Sequence, residues 1–255
     1  LTLEGPDVRL RVCEGEEGFA CVQAFCSAWL CEDGGLSAGG TVLRLNPLLV
    51  RNRLSALEPA ENHPFTILTQ NLRYSDDEDG NSIAERASRF LQLLEEYEPD
   101  IIGTQEATDD WLLFFLEELG DRYAIYGYSR EATTDVAGEW NAILIRRDRF
   151  DCLDGSTFWL SDTPEVPGSK LDYEIGHPRI CTWARLRDKE TDKVFLFANP
   201  HLQNGSPDAY GAYRERQLAI LFDVLFDKQA DSCPGFLTGD FNATSDEVCY
   251  TLATS

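Results

Sequence analysis

The chain has 255 residues, 43% of them hydrophobic and 26% charged, a composition that folds around one sizeable core and excludes disorder as its main theme. Its 45 acids against 22 bases give a formal charge of −23, so the overall field repels polyanions and acidic membrane surfaces. A phosphate-bearing ligand then needs a local device, most simply a divalent cation. No run approaches the roughly 20 apolar residues that span a bilayer, and no membrane span is expected.

Residues 1–64 stand apart as an unassigned region rich in Cys and Gly, closed by a polar, Pro-containing linker at 56–64. Nine of the acids and five of the bases fall here, so the acidity belongs mainly to the larger part, 65–255. Four of the eight cysteines, Cys13, Cys21, Cys26 and Cys31, crowd this region at spacings that match no CxxC zinc pair. Either they form disulfides or they are reduced and packed. Their uneven distribution, with Cys152 and Cys181 in apolar strand-like contexts, favours the reduced reading and a cytoplasmic over a secreted setting.

From Phe65 onward strands and helices alternate. FTILTQN reads as a short strand, and the acidic loop at 76–79 as a solvated turn. The next helix has a capping box, Ser82 with Glu85, apolar positions Ile83, Ala87, Phe90, Leu91, Leu94 and Tyr97 at helical spacing, and a stop at Pro99. DIIGTQ is a buried strand by length, and WLLFFLEEL a helix with Thr108 as its N-cap. Strand-like runs follow at RYAIYGY, NAILIRR, STFWL, RICTWARL and KVFLFAN. A third helix spans 211–228, FLTGD is a last short strand, and SDEVCYTL a helix fragment capped by Ser245. Strand–helix units followed by consecutive strands indicate mixed sheets covered by helices, an α/β sandwich.

Four strand ends carry polar residues that strand propensity does not ask for: Gln70-Asn71, Gln105-Glu106, Asn199 with His201, and Gly239-Asp240-Phe241-Asn242. Carboxyl ends of strands in α/β sheets converge on a crevice where ligands gather. Carboxylate and amide oxygens suit Mg²⁺ or Mn²⁺. Cleaving a phosphate ester requires a cation, an acceptor for a water proton and a donor for the leaving oxygen. Glu106 is the candidate metal ligand, because a carboxylate at an apolar strand end is costly unless it binds a cation. Asp240 is the candidate that orients or deprotonates water, Asn242 holds a phosphate oxygen, and His201 donates a proton or a hydrogen bond. Asn141 and Arg179, at strand beginnings, are candidate substrate-phosphate contacts. The Asn-X-Ser/Thr triplets at 204–206 and 242–244 are discounted as glycosylation sites, since Pro207 follows one and the other lies in the candidate site.

TQNLRY (69–74), IIGTQEA (101–107), FANPHLQ (197–203) and FLTGDFNA (236–243) resemble, in order and spacing, the motifs of the endonuclease/exonuclease/phosphatase superfamily. FWLSDTPEVPGS (158–169) followed by HPRICTWARL (177–186) is similar to an uncharacterised subgroup nearest the deadenylase-like branch. The resemblance covers residues 65–255. It implies a four-layer α/β sandwich of two mixed sheets flanked by helices, and Mg²⁺-dependent phosphoester hydrolysis. Asn71 and Glu106 fall on its metal and phosphate positions, His201 on the histidine of its NTHLD-like motif, and Asp240 and Asn242 on its GDFN motif. Pro200 and Gln203 depart from NTHLD. The expected activity is nuclease-like, of the 3′–5′ RNA exonuclease type, with RNA or another nucleic acid as partner. The alternatives are an inositol-phosphate or phospholipid-headgroup phosphatase, or a non-catalytic binding module.

The family domain continues past GDFN to a further Asp and a Ser-Asp-His segment, and this chain ends at Ser255 before either. The sandwich is thus expected to be C-terminally incomplete, and the chain as given inactive. A purified chain ending at Ser255 is expected to release no more product than its His201→Ala variant in a discontinuous phosphate or nucleotide assay.

Overall fold

The computed structural model describes residues 64–254 apart from 79, 132–137, 173–175 and 229–232, together with the backbone of 2–4, 8–11 and 23–25. The crowded cysteines at 13, 21, 26 and 31 and the linker at 56–63 lie outside the described residues, as does Asp79 of the acidic loop. Cys152 and Cys181 are free thiols. Among the described residues no helix is long and apolar enough to cross a membrane.

In chain order the elements are β1 (Thr2–Glu4), β2 (Val8–Arg11), β3 (Gln23–Phe25), β4 (Phe65–Asn71), α1 (Ile83–Tyr97), β5 (Ile101–Gln105) and α2 (Asp109–Phe114), which runs into a π-helical turn at Phe115–Leu119. Then come β6 (Tyr123–Tyr126), β7 (Ile143–Arg146), β8 (Phe150–Trp159), β9 (Ile180–Asp188), β10 (Val194–Pro200), α3 (Pro207–Lys228), β11 (Gly235–Leu237) and α4 (Val248–Thr254). One sheet has the order β1-β2-β4-β5-β7-β6 and the other β3-β11-β10-β9-β8. Both are mixed. β4 and β5 are parallel with Asn71 opposite Gln105, and β10 and β11 are parallel. In each sheet this parallel pair delivers two strand ends to the same edge.

Alternation of side chains sorts the core into three layers. Phe65 and Ile67 of β4, Ile101 of β5, and Phe195 and Phe197 of β10 fill the space between the sheets. Leu68 and Ile102 face the opposite way, onto Phe90 and Leu94 of α1 and Trp111 of α2. Leu196 and Ala198 face Leu218, Leu221 and Leu225 of α3 and Cys249 of α4. Helices, sheet, sheet, helices make the four-layer sandwich that the motif resemblance implies. Phe65, Phe150, Phe195 and Phe236 lock the centre, with ring centroids 5.3–5.6 Å apart in stacked and edge-on pairs. Each such ring contributes about 1.5–3 kcal/mol by burial.

The helices differ from expectation at their ends. α1 keeps its capping box, Ser82 Oγ accepting from Glu85 N while Ser82 N donates to the Glu85 carboxylate. Thr108 holds the N-cap position of α2, but its side chain makes no cap bond. The π turn that follows keeps Trp111, Phe115 and Leu119 buried on one face, because its wider turn reverses the rotational drift of an α-helix at every fourth residue. α3 begins at Pro207, four residues before the expected start. Pro is preorganised for a first helical turn, and Ser206 O accepts from Ala209 N and Tyr210 N. α4 begins at Val248, not after a Ser245 cap. Thr244 and Glu247 form the turn that precedes it, Glu247 N donating to Thr244 O and Thr244 N to Glu247 Oε1. β8 starts at Phe150, well before the expected STFWL run, because Phe150 is an anchor of the central core.

Tyr123 is fully buried and donates its hydroxyl to Pro99 O at 2.6 Å, and burial pushes its pKa up from 10.0 to about 12. A folded-state pKa raised above the unfolded one gives stability that is complete below pH 10 and lost as pH rises through about 12. Melting temperature followed from pH 9 to 12, with phenolate absorbance in parallel, is expected to fall more steeply in the wild type than in Tyr123→Phe. At neutral pH that variant loses about 1 kcal/mol with the hydrogen bond.

Candidate active site

The two sheets meet through amides just beneath the converging strand ends. Asn199, fully buried on β10, donates to Thr104 O of β5 at 2.8 Å and accepts from Gln105 Nε2 at 2.6 Å. Thr238, after β11, adds its hydroxyl to the same Asn199 oxygen at 3.4 Å. The sheets approach so closely here that a Cβ on Gly103 would lie 2.6 Å from Thr238 Oγ1 and 2.9 Å from Asn199 Oδ1. This strut was not legible as such: Asn199 and Gln105 stand out in the sequence only as polar strand ends.

Above the strut the expected residues come together. Asn71 Nδ2 donates to Glu106 Oε1 and to Asp240 Oδ2, both at 2.8 Å. Its Oδ1 accepts from Arg73 N at 2.8 Å, which fixes the amide's orientation. Asn71 thus stands between the two carboxylates as a spacer. Tyr74 N donates to Glu106 Oε2, and Asn242 N to Asp240 Oδ1. Asn242 Nδ2 donates to Leu202 O at 3.1 Å, and Leu202 N to Asp240 O. Donor atoms of Glu106, His201 and Asp240 all lie within 4.8 Å of one another. Two carboxylates and an imidazole in this arrangement fit a divalent cation, which would relieve the repulsion between the carboxylates. Burial, reinforced by the charge of Glu106, raises the pKa of Asp240, against hydrogen bonds from Asn71 and Asn242.

Arg179 occupies the other flank. It is 6% exposed, and its guanidinium meets only neutral groups: His201 Nε2 at 3.3 Å, Gln203 Oε1 at 3.4 Å and Asn204 Oδ1 at 3.0 Å. Among the described residues no carboxylate lies within ion-pair distance of it. Burial, and then the charge of Arg130, pushes its pKa down to about 10. Burial and the charges of Arg179 and Arg130 also hold His201 well below the ordinary imidazole value. A guanidinium only donates, so His201 Nε2 accepts from Arg179 Nη1. Asn141 is buried too, and its Nδ2 donates to Ile180 O at 2.9 Å. It braces the first residue of β9, next to Arg179.

An open groove of about 480 Å³ reaches Tyr74, whose N–H is bonded to Glu106. Tyr74 and Thr108 line it with five acids, Asp76, Asp109, Asp110, Glu131 and Glu139, and with Arg130. Arg130 is paired to Glu131 at 2.7 Å and Glu139 at 2.6 Å.

Residues 68–248 match the model of the Endonuclease/Exonuclease/phosphatase family. Among similar solved structures, a family protein from Bacteroides thetaiotaomicron is 30% identical, with TM-score 0.65 over 73% of this chain and 66% of that one. The Bacteroides thetaiotaomicron mannosyl-6-phosphatase is also 30% identical, with TM-score 0.65 over 73% and 68%. The human Nocturnin catalytic domain with bound sulfate is 19% identical, with TM-score 0.53 over 64% and 58%, a likeness of fold alone. The chain thus spans about two thirds of the length of the bacterial structures. No curated protein matches it.

Replacing Asn199 by Leu takes a buried partner from Thr104 O and leaves Gln105 Nε2 only its longer contacts to Thr69 Oγ1 at 3.3 Å and Gly103 O at 3.4 Å, at about 1–3 kcal/mol for each weakened group. Urea denaturation is expected to show a loss of about 3 kcal/mol, with Gly103→Ala comparably destabilised by the clash. A midpoint unchanged in both variants would remove the strut from the account.

Proposed function

Because the chain belongs to the endonuclease/exonuclease/phosphatase family, we propose that it hydrolyses phosphate monoesters of small polyhydroxylated molecules with a divalent cation, Mg²⁺ or Mn²⁺. The observation that carries this reading is Arg179, a buried cation with no carboxylate within ion-pair distance among the described residues, beside the cluster of Glu106, His201 and Asp240 that could hold a cation. Burying a charge without a counterion is costly. A phosphoryl group between Arg179 and the cation would supply the missing anion.

Glu106, facing Asp240 and His201, would hold the cation, which supplies positive charge to the phosphoryl oxygens. Every other step belongs to side chains. Arg179 binds a phosphate oxygen through its fork of donors. Asn71 keeps Glu106 and Asp240 apart at fixed distance. Asp240, its pKa raised, orients the attacking water and accepts its proton. Once Arg179 turns to the phosphate, His201 Nε2 is free for a hydrogen bond to the reacting group.

The substrate's body is read from the groove beside Glu106. Five carboxylates and one arginine already paired to two of them make a surface that repels a nucleic-acid strand. The same carboxylates accept hydrogen bonds from hydroxyl groups. The 30% identity to a mannosyl-6-phosphatase supports a sugar or cyclitol phosphate. The second reading is the nuclease of the 3′–5′ RNA exonuclease type, favoured by the likeness of FWLSDTPEVPGS (158–169) and HPRICTWARL (177–186) to a subgroup nearest the deadenylase-like branch.

The test is a panel assayed with the natural protein and Mg²⁺: hexose 6-phosphates, inositol phosphates and oligo(A). Phosphate release from the first two, abolished by Glu106→Ala and reduced about 10²–10³-fold in kcat/KM by Arg179→Met, is expected. Nucleotide release from oligo(A) with no phosphate release from the monoesters would replace this reading by the nuclease.

A further inference from the structure

Arg214 is an arginine with no exposed surface, on the second turn of α3. Every nitrogen of its guanidinium is engaged. Nε donates to Glu247 Oε2 at 3.1 Å and Nη2 to the same oxygen. Nη1 donates to Gln203 O at 3.0 Å and Gly205 O at 3.1 Å. Glu247 uses its other oxygen on the backbone N–H of Thr244 at 3.0 Å. One turn along α3, Gln217 Oε1 accepts from Gln203 N at 2.9 Å.

These partners belong to two different loops. Gln203 lies two residues beyond His201 after β10, and Thr244 two residues beyond Asn242 after β11. The loops touch directly through Leu202 N to Asp240 O, Asp240 N to Pro200 O and Asn242 Nδ2 to Leu202 O. Arg214 closes the far side of that contact, so each loop is held at both ends. A buried ion pair is a poor way to gain stability, since apolar residues of similar volume do as well or better. What the guanidinium supplies is direction, a planar fork that fixes two carbonyls and one carboxylate at once.

We propose that Arg214, with Glu247, is a positioning residue that sets His201 against Asp240 and Asn242. The proposal rests on the phosphoesterase reading for its catalytic consequence, though not for its geometry. Misplacement of reacting groups by about 1 Å costs on the order of 10²-fold in rate, whereas Glu106 and Asn71 stand on the other sheet and do not depend on the clamp.

Two variants test it in the natural protein. Arg214→Lys keeps the charge and loses the fork. Arg214→Leu with Glu247→Leu keeps the volume apolar and guards against simple unfolding. Both are expected to lower kcat about 10²-fold while KM moves less than about threefold, a split that general destabilisation does not produce. In hydrogen exchange, the amides of Leu202 and Gln203 are expected to exchange at least about tenfold faster, with those of β5 unchanged. A double variant that folds with kcat near wild type, or with Leu202 and Gln203 still protected, would overturn the proposal. If the wild type turns over no phosphoester, the phosphoesterase reading falls, and the amide exchange alone decides the clamp.

Discussion

Asn199 sits out of reach of solvent and commits both ends of its amide to the opposite sheet. The core between the sheets is otherwise aromatic and aliphatic, which holds two layers together without fixing how one slides over the other. A polar bond is directional where apolar packing is not, and a buried one is expensive to break. The Asn199–Gln105–Thr104 contact therefore sets the register between a sheet that carries Asn71 and Glu106 and a sheet that carries His201 and Asp240. Those residues lie up to 169 positions apart in sequence, yet Asn71 meets Asp240 at 2.8 Å. Such a contact needs a fixed frame below it.

Charge follows the same logic of local exceptions inside a general field. A net charge of −23 disfavours phosphate at the surface, and the groove beside Glu106 continues that bias. At the site the balance changes. The protein buries Arg179 against neutral amides and an imidazole, and places two carboxylates on either side of Asn71. Among the described residues, one flank holds a cation with no carboxylate within ion-pair distance and the other holds carboxylates in reach of one another. On the proposed reading an ester phosphate with a divalent ion would complete both, and the acidic surroundings would favour a neutral, hydroxyl-bearing body over a polyanionic one.

The sequence exposes the parts of this design that obey local rules. Strand ends were legible because Asn, Gln, Asp and Glu interrupt runs of branched and aromatic residues, and α1 because Ser82 and Glu85 sit three apart before a helical stripe. What escaped is nonlocal. Nothing near Arg214 marks it as a partner of Glu247, 33 residues later, although it shares the buried face of α3 with Leu218 and Leu221. Asn71 was legible as a site residue, but its role as a spacer depends on Arg73 N taking its oxygen, a backbone detail with no composition signal. The end of α2 escaped for a related reason, since a π turn is set by which aromatic rings must share a core face. Likewise the start of α4 is fixed by Glu247, whose carboxylate serves Arg214 and the Thr244 turn together.

Backbone conformation supplies the last constraint. Glu106 has φ of 59° and Asn242 of 48°, left-handed values that non-glycine residues rarely adopt. Asn tolerates this region, but for Glu the cost is of order 1 kcal/mol. The reason lies in alternation. Gln105 points into the gap between the sheets, where it meets Asn199, so an uninterrupted strand would aim residue 106 at the layer of α1 and α2. Ala107 is buried in that layer. The left-handed turn at Glu106 breaks the alternation and directs the carboxylate over the strand end, where Asn71 Nδ2 and Tyr74 N hold it. At Asn242 the same conformation folds the N–H back onto Asp240 Oδ1 and frees the side chain to reach Leu202 O. Arg73, Glu98 and Asp192 are left-handed as well, but at Glu106 and Asn242 the conformation falls where the chain leaves a strand and enters the site. The hydrogen bonds that offset its cost there are those that define the site.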